Sequence, residues 1–266
     1  MAEKVLTSVH IEKAGGSTIE NFFETQLGCQ RVAYYHAPSD RLIRSSDFIL
    51  SPSNPVVDAV KEKVMGTPYW SVLKKLYFLI GSREQVRKED PIIPNGVRVI
   101  HGHFRADRFD TEIDSPIRAV ALREPLQRMH SHFSHWRRTR GNAEWRVRIN
   151  YDLKIQFVDF AMLPQLQNYQ AQALAGKELT DFDAVGIVEQ LDLYALLLHE
   201  ILLREGFYQT KPKTPNPLRR LNHTPQQEKK VYPATKQKFD EEVFRQFHSI
   251  DYELYGQAVA LASNRN

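Results

Sequence analysis

The chain has 266 residues, of which 42% are hydrophobic and 26% charged, and 36 lysines and arginines against 32 acidic residues give a formal net charge of +4. This apolar fraction excludes an intrinsically disordered chain, and no apolar run is long enough to cross a membrane. A single cysteine, Cys29, excludes an internal disulfide framework and a multi-cysteine zinc site. The N-terminal sequence lacks a signal-peptide pattern, so we expect a cytoplasmic protein with one domain over residues 1–266.

The first predicted unit of the chain is a strand, a glycine-containing loop and a helix. Apolar residues at positions 5, 9 and 11 predict a strand over residues 5–11. From Thr18 onward, apolar residues recur at helical spacing, and Gly28 stands where a C-terminal cap is expected. The apolar helical positions are Ile19, Phe22, Phe23 and Leu27.

Residues 37–96 follow no single pattern. Prolines interrupt a polar first part, residues 60–79 are partly helical in pattern, and further prolines end the segment. We expect an insertion of short helices and loops near the substrate cleft. After it, apolar runs predict a second strand over residues 97–100 and a third over residues 117–122.

The rest of the chain is mainly helical in pattern, with one further strand. Pro125 suits the first position of a helix, because the N–H group that it lacks would have no helical partner there. We then predict a strand over residues 184–188, a helix over 191–203, a loop over 209–228 and a C-terminal helix over 235–261. Strands separated by helices predict an α/β fold, in which a mostly parallel sheet is flanked by helices and ligands bind at the carboxyl ends of the strands.

The loop after the first predicted strand has the composition of a phosphate-binding site. Gly15 and Gly16 let backbone N–H groups approach an anion closely, and the N-terminus of the following helix adds a partial positive charge. Lys13 adds a full charge, and Ser17 and Thr18 add hydroxyl donors. In a Walker loop the lysine follows the second glycine. Here the lysine precedes both glycines, so this loop is of a different type.

The segment Lys13-Ala14-Gly15-Gly16-Ser17-Thr18 resembles the 5′-phosphosulfate loop of sulfotransferases that use 3′-phosphoadenosine 5′-phosphosulfate (PAPS). The resemblance implies a P-loop-like three-layer sandwich and PAPS as the donor cosubstrate, bound by all six residues of this segment. It also implies a catalytic role for Lys13, which would neutralise charge on the leaving phosphate. Glu12 departs from the family, which usually has proline at this position.

A second motif follows the third predicted strand and is similar to the 3′-phosphate motif of the same family. Arg123-Glu124-Pro125 stands at the end of the strand, and Ser131 follows Arg123 by eight residues. Because Ser131 would lie on the second turn of the next helix, it can reach the same phosphate as Arg123. The guanidinium offers two parallel N–H donors and the serine offers a hydroxyl.

A third motif, His101-Gly102-His103, follows the second predicted strand and resembles the His-Gly-His of the uronyl 2-O-sulfotransferases. The resemblance implies that His103 is the base that deprotonates the acceptor hydroxyl, and that His101 orients either His103 or the acceptor. A histidine titrates near neutral pH, which suits this task. The sequence offers no convincing third and fourth ligand for a zinc ion, so no metal is expected.

Two weaker similarities lie further along the chain. Residues 185–191 resemble a mainly structural strand-to-helix segment of the family. Residues 221–225 lie in a basic loop and resemble a stretch that closes over the nucleotide. This makes Arg219, Arg220 and Thr224 candidate contacts of the 3′-phosphate, although a solvated basic linker is the alternative interpretation of this loop.

The predicted function is therefore transfer of the sulfuryl group of PAPS to a hydroxyl group of a carbohydrate or another small acceptor. Arginines clustered over residues 137–148 favour an acidic acceptor, and nucleic acid is not expected as a partner. The candidates for stacking on a sugar ring are Trp70, Trp136 and Trp145.

Two other functions remain open. A nucleotide-dependent phosphotransferase of the P-loop kinase type uses similar loop chemistry, but the position of the lysine and the lack of a clear Mg²⁺ site count against it. A non-enzymatic polyanion-binding module would use the basic clusters through weak, salt-sensitive contacts, and it would need neither Lys13 nor His103.

Overall fold

The computed structural model of the protein describes residues 4–36, 41–45, 93–138, 155–208 and 239–264. Within these ranges the chain forms one six-stranded sheet flanked by seven α-helices. The predicted α/β class with a mostly parallel sheet is therefore confirmed. Across this described part of the chain, no helix combines the length and the apolar character needed to cross a membrane.

The sheet is parallel except at one edge. Its strands are β1 (Leu6–Val9), β2 (Val32–His36), β3 (Arg41–Arg44), β4 (Val99–Gly102), β5 (Ile117–Leu122) and β6 (Ala184–Ile187). Their order across the sheet is β3-β2-β4-β1-β5-β6. Neighbouring strands run parallel, except that β3 pairs antiparallel with β2. Strands β1, β4 and β6 are buried along their whole length, as in parallel sheets covered on both faces.

The described residues form helices α1 (Gly16–Leu27), α2 (Pro125–Arg138), α3 (Phe157–Ala161), α4 (Tyr169–Leu174), α5 (Leu191–Arg204), α6 (Glu241–Phe247) and α7 (Ser249–Ser263). Helix α1 ends as predicted at Gly28, which has a φ of 81° and donates its N–H to the carbonyl oxygen of Glu24 at 2.9 Å. Helices α5 and α7 pack against β6.

The strand order predicts a crevice between the carboxyl ends of β1 and β5. After β1 the chain moves to one side of the sheet and adds β2, and after β5 it moves to the other side and adds β6. Neighbouring strands whose connections leave in opposite directions form a ligand-binding crevice at their carboxyl ends. The first two sequence motifs stand at these two strand ends. The third stands at the end of β4, which is the other neighbour of β1.

The described residues form two hydrophobic clusters in the interior. The larger one surrounds the sheet, and the smaller one joins α2 to α3 and α6. Trp136 belongs to the smaller cluster: it is 1% exposed, and its ring centroid lies 5.5 Å from that of Phe160. The prediction that Trp136 stacks on a sugar ring is therefore wrong, because the apolar stripe of α2 buries this side chain.

Most strands lie within a few residues of their predicted positions, but β2 and β3 were not predicted. Strand β3 falls inside residues 37–96, for which helices and loops were expected. Adjacent Tyr34 and Tyr35 of β2 are both half-buried, so this strand lacks the alternation of buried and exposed side chains that is typical of a strand with one buried face. Residues 46–92, the larger part of the predicted insertion, lie outside the described ranges.

The predicted C-terminal helix is in fact two helices that meet at His248. This residue has a φ of −107° and a ψ of 27°, which interrupts the helical path. Its Nε2 donates to the carbonyl oxygen of Ala161 at 2.9 Å, and its Nδ1 accepts from the N–H of Asn168 at 3.3 Å. These bonds link the break between the two helices to α3 and to the loop before α4. An amphipathic pattern does not reveal such a break, because the break depends on contacts with distant parts of the chain.

Candidate functional site

The loop between β1 and α1 leaves the N-terminus of α1 open. Gly15 precedes the helix with a φ of 80°, a left-handed conformation that glycine adopts without steric cost, and no side chain caps the helix. The N–H groups of Gly15 and Gly16 donate to no acceptor among the described residues. Unused donors at the positive end of a helix favour a bound anion.

The other predicted residues of this loop differ in what they can offer a ligand. Lys13 is partly exposed and has a φ of 69°, which costs a residue with a side chain about 1 kcal/mol. The N–H groups of Ala14 and Thr18 each bond to a carbonyl oxygen of the loop at 3.0 Å, so these two donors are already used. Ser17 is partly exposed, whereas the Thr18 side chain is buried.

The imidazole of His10 lies so close to Gly16 that a side chain at this position would collide with it. A Cβ atom at Gly16 would lie 1.7, 2.0 and 2.1 Å from three atoms of that ring. The glycine therefore allows the end of β1 and the start of α1 to approach more closely than any other residue would permit.

Three histidine rings from the ends of β1 and β4 form a stack. The His10 ring lies in the middle, with its centroid 5.1 Å from that of His101 and 4.0 Å from that of His103. Burial, together with the charges of His103, His101 and Lys13, holds the pKa of His10 well below its usual range. Within the described residues, no group of three or more potential ligands is arranged to hold a metal ion.

His103 is oriented by two acceptors on its Nδ1 side. This nitrogen lies 2.8 Å from the carbonyl oxygen of His10 and 3.6 Å from Oε1 of Glu12. Because a carbonyl oxygen can only accept, Nδ1 carries the hydrogen and Nε2 carries the lone pair. The side chain is 41% exposed. His103 can therefore accept a proton from a bound hydroxyl group through Nε2.

His101 lies deeper than its predicted role requires. It is 1% exposed, and its Nδ1 is 2.9 Å from the hydroxyl of Ser8. Its burial excludes direct contact with an acceptor. The ring of His10 stands between His101 and His103, so an orienting effect on the predicted base would act through His10.

Arg123, at the end of β5, contacts the first loop. Its Nη1 donates to the carbonyl oxygen of Lys13 at 3.0 Å, which joins residues 110 positions apart in the sequence. The side chain of Gln170 accepts from the backbone N–H of Arg123 and donates to its carbonyl oxygen, both at 2.9 Å. Gln170 is fully buried, so water does not compete for these two bonds. The first two motifs therefore meet at the crevice between β1 and β5.

The N-terminus of α2 differs from that of α1 because a side chain of its own motif, Glu124, caps it. The carboxylate of Glu124 accepts from the N–H groups of Leu126 at 3.2 Å and Gln127 at 2.7 Å. Ser131 is partly exposed on the same helix. Its hydroxyl has no hydrogen-bond partner in the described part of the chain, so it can bond to a ligand.

Several predicted contacts lie outside the described residues, so their roles stay predictions. These are the 3′-phosphate candidates Arg219, Arg220 and Thr224, together with Trp70 and Trp145.

A cavity of about 480 Å³ opens beside His103. This volume is within the range of small-molecule binding sites. Its lining includes His10 and Glu12 from the end of β1, and Tyr169, Ala171 and other residues in and after α4. The predicted base thus faces a space that can hold a small molecule.

Two groups of this region, His10 and Gln170, were not predicted as site residues. His10 had a usable signal, because it follows β1 just as His101 and His103 stand at the end of a neighbouring strand. Gln170 had none, because its bonds to Arg123 cross 47 residues of sequence and depend on how α4 packs.

No protein-family model fits the chain, and no curated protein sequence matches it significantly. The motifs and the geometry of the site therefore carry the functional inference.

Proposed function

We propose that the protein transfers the sulfuryl group of PAPS to a hydroxyl group of a carbohydrate or another small acceptor. The contact between Arg123 and the carbonyl oxygen of Lys13 carries the proposal, because it joins the two loops that resemble the donor-binding motifs of sulfotransferases. The position of the first loop, after the central strand β1 and before α1, also supports a P-loop-like three-layer architecture.

The groups around the crevice suit a donor with two phosphate-bearing ends. The open N-terminus of α1 and the Lys13 side chain would hold the 5′-phosphosulfate, since backbone donors and a cation both favour an anion there. The Arg123 guanidinium and the Ser131 hydroxyl would hold the 3′-phosphate. Lys13 would also oppose the negative charge that develops on the leaving phosphate.

In this proposal His103 is the general base. A new bond forms between the acceptor oxygen and sulfur, while the bond between sulfur and the 5′-phosphate oxygen breaks and releases 3′-phosphoadenosine 5′-phosphate (PAP). The proton of the acceptor hydroxyl passes to Nε2 of His103. The Glu12 carboxylate, 3.6 Å from Nδ1, stabilises the imidazolium that results.

Thermal unfolding with added nucleotide tests the donor assignment. PAP at a hundred times its dissociation constant should stabilise the protein by about 2.7 kcal/mol through mass action. Lys13→Ala and Arg123→Ala should reduce this stabilisation, whereas Arg204→Ala, on the exposed face of α5, should leave it unchanged. Stabilisation by ATP with Mg²⁺ but not by PAP would favour a phosphotransferase instead. Equal, salt-sensitive stabilisation by many polyanions would favour a binding module.

Turnover tests the base. The variant His103→Ala should bind PAP as the wild type does, while sulfuryl transfer falls by about 100-fold or more. Unchanged transfer by this variant would assign the base to another residue.

A further inference from the structure

We infer that the cavity beside His103 is the acceptor site and that it selects an uncharged ring-bearing alcohol over an acidic one. This inference rests on the proposed function for the identity of the site. It keeps the predicted carbohydrate or small-molecule acceptor but reverses the expectation, based on the arginine cluster, that this acceptor is acidic.

The position of the cavity fits an acceptor site. His103 and Glu12 both line it, and Lys13, proposed to contact the sulfuryl donor, directly follows Glu12 in the chain. Because Nδ1 of His103 is bonded to the backbone of His10, its Nε2 is the nitrogen that a ligand can reach. A molecule in the cavity would therefore place a hydroxyl group between the base and the donor loop.

The charges of the described lining disfavour an acid. Arg105 is the permanent cation among these lining residues, but its Nε and Nη2 bond to the carboxylate of Asp107 at 3.3 and 3.2 Å. Glu12 is 8% exposed and lies close to His103, so its negative charge is poorly screened by water. The buried Arg128 also attracts this charge, but Arg128 is not among the residues that line the cavity. An acceptor carboxylate next to the reacting hydroxyl would approach this buried anion and be repelled.

The remaining surface suits the apolar face of a ring. Tyr169 and Phe104 contribute aromatic surface, and Ala171, Ala173 and Ala175 contribute small apolar side chains that leave the space open. Sites for small molecules commonly combine such apolar walls with a few polar groups that fix orientation. Here the polar groups include His103 and His10, and the lowered pKa of His10 keeps its ring neutral, so that this ring forms hydrogen bonds without attracting an anion.

A matched pair of ligands tests the charge preference. Methyl β-D-glucopyranoside and methyl β-D-glucuronide differ only at carbon 6, which is a hydroxymethyl group in the first and a carboxylate group in the second. Saturation-transfer NMR on the full chain with PAP should show at least tenfold tighter binding of the neutral glycoside. Equal or tighter binding of the glucuronide would overturn the inference, as would a lack of binding of the neutral glycoside.

A cavity-filling variant tests the location. Ala173→Leu should weaken binding of the neutral glycoside at least tenfold while leaving stabilisation by PAP unchanged, whereas Ala260→Leu, exposed on α7, should change neither. Unchanged glycoside binding by Ala173→Leu would place the ligand elsewhere. If PAP stabilises the wild type but the neutral glycoside does not bind to it, the cavity assignment alone is refuted. If the glycoside binds but PAP does not stabilise the protein, the donor assignment is refuted.

Discussion

Gly16 and His10 hold the end of β1 against the start of α1, and the surrounding rings prevent His10 from moving away. His10 is stacked between His101 and His103, so a new atom at Gly16 would meet a ring that is confined on both faces. The loop proposed to bind phosphate and the predicted base therefore both depend on one close contact.

We predict that Gly16→Ala destabilises the protein by about 1–3 kcal/mol, because the added methyl group overpacks this contact. Gly256→Ala is the matched control: apart from the adjacent backbone of its own helix, no atom of the described residues lies within 4 Å of the added Cβ, and alanine in the middle of α7 should raise stability by about 0.5–1 kcal/mol. Urea unfolding of both variants measures the difference. Equal midpoints would contradict the close contact.

Glu12 occupies the position where the resembling family usually has proline, and it lies beside the predicted base. We predict that Glu12→Gln lowers the maximal rate of sulfuryl transfer by about tenfold, which corresponds to 1.4 kcal/mol, because the imidazolium of His103 loses its neighbouring charge. Stabilisation by PAP should not change. Glu12→Asp should restore part of the rate. A rate unaffected by Glu12→Gln would assign this carboxylate no part in the reaction.

Helix α4 supplies part of the cavity lining, yet it has six residues and depends on its neighbours for stability. The buried carboxylate of Asp251 accepts from the N–H groups of Gln170 at 3.2 Å and Ala171 at 2.9 Å. In return, the N–H of Asp251 donates to the side chain of Asn168 at 3.3 Å. The C-terminal helices thus fix the start of α4, and His248 adds a further bond at the same place.

His248 should make stability depend on pH. Burial lowers its pKa to about 4, whereas an unfolded histidine titrates near 6.5. Between these values only the unfolded state takes up the proton, so stability falls as the pH drops from about 6.5 to 4, by about 3 kcal/mol for this group. His248→Gln, which can still donate and accept, should remove that part of the slope in urea titrations. An identical slope in the variant would contradict this account.

At the scale of the whole molecule, local patterns predicted the elements that carry the motifs but not the contacts that join them. The apolar runs of β5 and β6 and the proline that begins α2 are properties of short segments, so the sequence reveals them. Edge strand β3 pairs with the strand just before it in the chain, but neither strand has the alternating pattern that would reveal the pair. Gln170 is hidden for a different reason, because its importance comes from packing against Arg123, 47 positions away in the sequence.

Gln170 also connects the two sides of the site, because its neighbours Tyr169 and Ala171 line the cavity while its side chain holds Arg123. We predict that Gln170→Leu weakens both PAP binding and acceptor binding by at least threefold, since it removes the partner of two part-buried backbone groups of Arg123. Calorimetric titration of PAP and the acceptor KM measure the two effects. Gln257→Leu, exposed on α7, is the control. If the variant weakens the binding of only PAP or only the acceptor, Gln170 does not connect the donor side and the acceptor side of the site.

The unequal ends of α1 and α2 give the crevice a direction. The N-terminus of α1 presents the N–H groups of Gly15 and Gly16, which bond to no other described residue, whereas Glu124 caps the N-terminus of α2, where Arg123 presents a guanidinium. A molecule with a different anionic group at each end would place one group against backbone N–H donors and the other against a guanidinium. In the reversed orientation each anionic group would face the less suitable donor. Under the proposed function, this asymmetry would fix the orientation of the donor before an acceptor binds.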